Sequence, residues 1–359
     1  MAEPFLIDGP KLADGIGLCL SGGGYRAMLF HAGSLQRLNE AGWLAKIDRI
    51  SSVSGGSIMA GILAVSWHKL TFQGGIATNF SDVVRPLVNR QAGDAIDTES
   101  GLSGLLPWKS AADSVARSYA TNFAADATLQ ELPDRPRFVF NAASLMTGRN
   151  WRFAKPYAAD WRVGRIVDPR FKLAEIVAAS SAFPPFLSPA VLDLSNEHVL
   201  PYDEEEGRSD LSFPPYTTRA VLSDGGVYDN LGIEPIWKRY RTVLVSNAGK
   251  PFAAQDAPAT DWLGQMLRVV DITMDQDEAL RERILVHAYK TGVRRGAMWR
   301  LGNGLPALPG GAIPLASPSD IADAARIRTR LNRFSQAEQD LLWRVGQAYA
   351  DAAIRAQLN

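Results

Sequence analysis

The chain has 359 residues, 46% hydrophobic and 21% charged, which is enough apolar material to bury a sizeable core in one large or two smaller domains. Its 38 Lys and Arg balance its 38 Asp and Glu, so net charge gives no pull toward a nucleic acid polymer or an anionic bilayer. A single cysteine, Cys19, excludes an intrachain disulfide and any multi-cysteine metal site, and in the apolar run Ile16 to Leu20 it reads as a packed strand residue.

The opening MAEPFLIDGP has no basic region followed by an apolar one, so no secretory signal is expected and the cytoplasm is the default location. From there the chain reads as strand (Ile16 to Leu20), Gly-rich turn (Gly22 to Gly24), helix with Leu35 and Leu38 on one face, then a stop at Gly42. A second strand, about Ile47 to Val53, feeds an apolar helix after Gly56. Its run Ile58 to Trp67 falls short of the roughly 20 residues that span a bilayer. This rhythm predicts a parallel sheet covered by helices.

Residues 70–135 scatter Gly, Ser, Asp and Pro among short apolar groups and are expected to form a cap or lid. Strand-like runs return at Arg137 to Ala142, Arg219 to Leu222 and Thr242 to Ser246. Residues 250–359 are expected as a helical elaboration of a single domain, ending in a helix that Ser335 and Glu338 open as a capping box.

Three turns carry the chemistry. In Ile50 to Gly61, ISSVSGGSIMAG, only Ser54 has small residues both two before (Ser52) and two after (Gly56), as a strand-to-helix nucleophile turn requires. Ser54 as a plain helix N-cap fits the same letters. In Ser21 to Arg26, SGGGYR, the glycines can aim backbone N–H groups into one space, as an oxyanion hole or a phosphate cradle would. Neither the GxxxxGK[ST] loop nor the Rossmann spacing is present, and Asp48 is the one acid near the ribose position. Arg26 would brace that turn or face a substrate's charge. The third turn, DGGVYDNLG from Asp224, offers a carboxylate at a strand end, or an ordinary Asx turn.

At these residues the sequence resembles the patatin-like phospholipases, which share their catalytic arrangement with the cytosolic phospholipase A group. The GGGxR turn is matched by Gly22 to Arg26, the elbow by Ser54, and the DG[GA] aspartate by Asp224. Ala178 to Pro189 and Asn141 to Arg152 resemble two further family segments, so the likeness runs from about 14 to 250. Ser52 stands where the elbow has glycine, and Ser21 where aspartate is frequent.

The resemblance implies a three-layer α/β/α patatin-like fold with a mostly parallel central sheet. It implies a serine lipid acyl hydrolase of the phospholipase A or lysophospholipase type, acting on phospholipid or lysophospholipid through an acyl-enzyme. Ser54 and Asp224 would form the catalytic dyad, Gly22, Gly23, Gly24 and Arg26 the oxyanion hole, and Ser52 and Gly56 the elbow's support. No cofactor or metal is expected. Some bacterial relatives are switched on by cyclic nucleotides and assemble on activation, which leaves a cyclic-nucleotide activator and a homo-oligomer open here. Transient peripheral contact with the inner face of the membrane is open too. A His triad would have to use His287, since the other histidines, His31, His68 and His198, precede the aspartate. A non-enzymatic nucleotide- or phosphate-binding module built on the glycine turn is the alternative function. Two apolar groups are candidates for lipid contact, Leu102 to Trp108 and Phe183 to Phe186, and Arg326, Arg328, Arg330 and Arg333 either meet phosphates or line a solvated helix face.

Overall fold

A computed structural model describes residues 12–96, 109–202, 209–249, 252–305, 308 and 313–358. In chain order the elements are β1 (Ala13–Leu20), α1 (Gly24–Glu40), β2 (Arg49–Ser52), α2 (Gly55–Ser66), a small hairpin β3 (Phe72–Gln73) and β4 (Ile76–Ala77), α3 (Phe80–Gly93) and α4 (Lys109–Tyr119). There follow β5 (Arg137–Ser144), β6 (Asn150–Ala154), β7 (Tyr157–Asp160), β8 (Gly164–Val167), α5 (Leu173–Ser180), β9 (Ala190–Asp193), β10 (Val199–Leu200) and β11 (Arg219–Asp224). The chain closes with α6 (Gly226–Asp229), α7 (Glu234–Trp237), β12 (Tyr240–Asn247), α8 (Trp262–Lys290), β13 (Arg295–Arg300), α9 (Pro318–Arg326) and α10 (Gln336–Ala353).

The central sheet runs β10-β8-β7-β6-β5-β2-β1-β12-β13, and its five strands from β5 to β13 are mutually parallel. Antiparallel strands extend it beyond β5. Alternation along β1 sorts the layers. Leu18 and Leu20 enter the cluster shared with α1, α2 and α10, whereas Cys19 enters the one formed with Leu231, Ile236 and Leu285. The result is the expected three-layer α/β/α arrangement, with Cys19 fully buried as packing.

Within the stretch expected as a cap, Phe80, Val84, Val88 and Ala92 recur every four residues and bury one face of α3 against α1, α2 and α10. The Leu102 to Trp108 group lies outside the described residues. Ser335 and Glu338 do form a capping box at the start of α10, which packs along α1. The two helices meet at glycines: a Cβ on Gly33 would fall 1.9 Å from the Trp343 carbonyl oxygen, and one on Gly346 2.0 Å from that of Phe30.

One detail of the sheet positions the chemistry. β2 pairs with the first half of β5, from Arg137 to Phe140, and ends at Ser52. β11 then takes the same edge of β5, with Asp224 opposite Ala142, because β6 already occupies the other edge. The end of β2 and the end of β11 therefore abut.

Candidate active site

Ser54 sits between β2 and α2 with φ 51° and ψ −121°, a conformation that L-residues adopt only under constraint. Its side chain caps no N–H of α2, so the helix-cap reading does not hold. The strain is held by the backbone around it. The Ser54 N–H donates to both the carbonyl and the hydroxyl of Ser180 at 3.2 Å, and the Gly56 N–H donates to the Ser21 carbonyl at 3.1 Å. Behind the elbow, Ser57 Oγ lies 2.9 Å from Ser52 Oγ and 2.8 Å from Ser180 Oγ, which in turn donates to the Asn141 carbonyl at 2.6 Å. The serine that replaces glycine at position 52 is thus put to use in a buried hydroxyl chain.

The glycine turn lies directly against the nucleophile, since a Cβ on Gly22 would be 3.2 Å from Ser54 Cβ. The Gly22 N–H donates to the Asn230 carbonyl at 3.1 Å and so is not a free donor. The N–H groups of Gly23 and Gly24, at the start of α1, have no acceptor among the described residues. Gly24 has φ 58°, and a Cβ there would meet the Thr329 carbonyl oxygen at 2.2 Å. The segment between α9 and α10 therefore rests on the turn, with the Tyr25 N–H reaching the Arg330 carbonyl at 3.4 Å.

Arg26 is fully buried. Its guanidinium donates to the carbonyls of Ala248 (2.7 Å), Ile327 (3.1 Å) and Ala325 (3.4 Å). Of the two roles read from the sequence, bracing is the one the geometry supports, and Arg26 is corrected from oxyanion donor to brace. Burial draws its pKa down to about 10, with Glu278 opposing. Arg328, Arg330 and Arg333 lie in the irregular segment beyond α9, not on a helix face.

His31, one turn further along α1, is also fully buried. Its Nε2 is 2.9 Å from the Ser21 carbonyl, which can only accept, so Nε2 carries the proton and Nδ1 accepts from the Ser246 hydroxyl at 2.8 Å. Burial lowers its pKa to about 4, against the pull of the Ser21 carbonyl. His31 is thus a neutral strut between β1 and β12. Ser21, where aspartate is frequent in the family, accepts from the Ala248 N–H at 2.8 Å and ties the glycine turn to the end of β12.

Asp224 closes the site. Its N–H donates to the Ala182 carbonyl at 2.9 Å, and its Oδ1 accepts from the Gly226 N–H at 2.7 Å. Oδ2 is buried and has no hydrogen-bond partner of ordinary geometry among the described residues. Burial pushes the carboxyl up to about 6, while the nearby Ser54 hydroxyl and the Gly226 N–H pull it down. The carboxylate is therefore positioned beside the serine as a stronger base than a solvated aspartate.

His287 is exposed near the C-terminal end of α8. Met274 of the same helix packs over Gly226 beside Asp224, and a separation of 13 positions places His287 about 20 Å further along at 1.5 Å per residue. His68 and His198 are exposed as well. The Ser, Asp and His triad is not assembled.

Asn230 is a site residue that the sequence reading missed. Its Oδ1 would be 2.4 Å from a Cβ on Gly22 and 2.7 Å from one on Gly226, and its Nδ2 donates to Glu278 Oε2 at 2.7 Å. Ser180 and Asn141 lay inside the segments that resemble the family, but without any assigned role. Among the described residues no helix is long and apolar enough to cross a membrane.

Residues 18–237, more than half of the chain, match the family described as patatin-like phospholipase. In fold the chain is similar to human GIVD cytosolic phospholipase A2, at 13% identity and a TM-score of 0.57, with 95% of this chain and 59% of that one covered. VipD from Legionella pneumophila matches 97% of this chain and 68% of its own at 14% identity, with a TM-score of 0.39. The chain thus spans less than two thirds of the cytosolic phospholipase's length. No curated protein matches the sequence. The match over residues 18–237 takes in the elbow, the glycine turn and the aspartate together, and the chain belongs to the patatin-like phospholipase family.

Proposed function

We propose that the chain is a serine lipid acyl hydrolase that cleaves fatty-acyl esters of phospholipid or lysophospholipid by a Ser54 and Asp224 dyad. The observation that carries this reading is a strained, uncapped Ser54 whose hydroxyl lies against the buried Asp224 carboxylate, with Oδ2 taken up by no other group among the described residues. Asp224 takes the Ser54 proton as Oγ bonds to the acyl carbon. The resulting oxyanion meets the N–H groups of Gly23 and Gly24, at the positive end of α1. As the alkoxide leaves with the proton, an acyl-enzyme forms, and water activated by the same carboxylate releases the fatty acid. An aspartate near pKa 3.9 would be a weak base, and burial of Asp224 strengthens it by about two units. Phe183 and Phe186, 38% and 63% exposed, follow Ala182, whose carbonyl holds the Asp224 N–H, and they supply an apolar margin suited to a lipid rather than a polar ester.

A fluorophosphonate probe tests the reading. Wild type is expected to be labelled and Ser54→Ala not, and Asp224→Asn is expected to lose hydrolysis of lysophospholipid by at least 100-fold, with products followed by mass spectrometry. Equal labelling of Ser54→Ala would remove the nucleophile assignment.

A further inference from the structure

At the opposite end of β2 from the elbow lies a cluster of cations that the catalytic site does not use. Arg49 opens β2 and pairs in register with Arg137, which opens β5. Arg49 is only 5% exposed. It makes no hydrogen bond or ion pair among the described residues, its Nε and Nη1 are buried without partners, and its one recorded contact is the Tyr240 ring, 5.8 Å away. Asp48, its neighbour in sequence, is occupied by Arg135 at 2.8 Å and by the Ile16 N–H at 2.8 Å.

Tyr157, at the start of β7, is where the cations converge. Burial by itself would raise its hydroxyl, yet Arg49, Arg239, Arg152 and Arg137 together hold it below the ordinary tyrosine value. Arg239 is in turn lowered, first by burial and then by Arg49. Among the described residues only one of these four guanidiniums has a carboxylate partner, Arg152, which meets Glu234 Oε1 at 2.9 Å. Four buried polar atoms there lack hydrogen-bond partners among the described residues, Arg49 Nε and Nη1, Arg152 Nε and Glu234 Oε2, while the Tyr157 hydroxyl has only the Arg239 guanidinium within reach, short of ordinary hydrogen-bond geometry.

Leaving a buried guanidinium unpaired is costly, commonly by several kcal/mol, so a surplus of this kind calls for a counter-charge. Arg137, Arg152 and Tyr157 are half-buried and Arg239 is exposed, which leaves the cluster open on one side. Planar guanidinium forks match the oxygens of a phosphate group, and a tyrosine hydroxyl adds a further donor. We propose that Arg49, Arg137, Arg152, Arg239 and Tyr157 form a binding site for a phosphate-type oxyanion, separated from the elbow by the length of β2. That strand spans about 10 Å at 3.3 Å per residue, so the anion and the substrate ester do not share a pocket.

The test uses the full chain and inorganic phosphate, by calorimetry and thermal denaturation at ionic strength held constant with chloride. Phosphate is expected to bind wild type and Ser54→Ala alike and to raise the melting temperature of both. Arg49→Met is expected to need at least tenfold more phosphate for the same shift. Arg137→Gln, at a half-buried position, serves the same purpose should Arg49→Met fail to fold. Adenosine monophosphate in a parallel titration separates the sources: tighter binding than inorganic phosphate indicates a phosphate carried on a larger molecule, and equal or weaker binding a free anion. Phosphate shifts no larger than those of chloride, or equal in wild type and both variants, would overturn the site. Because Ser54→Ala retains it, its failure is distinguishable from a failure of the hydrolase reading.

Discussion

Asp224→Asn should abolish catalysis and, at the same time, make the protein more stable. The carboxyl moves from an ordinary 3.8 to about 6 on folding, chiefly because burial disfavours its charge. Below about pH 3.8 it is protonated in both states and exacts nothing. Between there and about 6 the unfolded chain ionises first and stability falls, and above 6 the full penalty stands. Two units at 1.36 kcal/mol each make that penalty about 3 kcal/mol. Asparagine carries no charge, keeps an oxygen for the Gly226 N–H and gains donors that the Ser54 hydroxyl can accept from. Urea unfolding at pH 8 should therefore show Asp224→Asn more stable by about 3 kcal/mol, and the gain should shrink to roughly half at pH 5. A variant no more stable than wild type at pH 8, or a gain independent of pH, would refute the claim that Asp224 is held as a strained buried base.

Two further outcomes follow from the same geometry. Since only the carboxylate can accept the Ser54 proton, kcat/KM on a soluble ester should rise tenfold per pH unit below about 6 and level off above it; a profile flat from pH 5 to 8 would contradict Asp224 as the base. Arg26→Lys retains the charge but cannot span the carbonyls of Ala248, Ile327 and Ala325 together. It should lower stability by about 2–4 kcal/mol and open residues 327–333 to limited proteolysis, and unchanged cleavage there would show that Arg26 does not clamp the segment.

Much of the site was legible in the sequence because each part obeys a local rule. A nucleophile turn needs small residues two before and two after the serine, donor glycines must follow a strand, and the carboxylate must end one. Those rules single out Ser54, Gly22 to Gly24 and Asp224 without reference to the rest of the fold, and it took the structure to show the Gly22 N–H already bonded. The strands that carry them, and the capping box of α10, are likewise set by short-range alternation and spacing. What the sequence could not settle is who meets whom. Whether Ser54 caps a helix, whether Arg26 faces substrate or braces a loop, and whether His287 reaches the elbow all turn on residues far apart in the chain. Arg26 is held by carbonyls some 300 positions away, and Gly22 loses its donor to Asn230 more than 200 positions on. The pKa of Asp224 and the unpaired charge of Arg49 are decided in the same way, because burial depends on the layers that close over a side chain and not on its neighbours in sequence. The sequence by itself determined the proposed reactive groups and the turns that present them; tertiary packing decided which lie together, which became struts, and where charge was left unanswered.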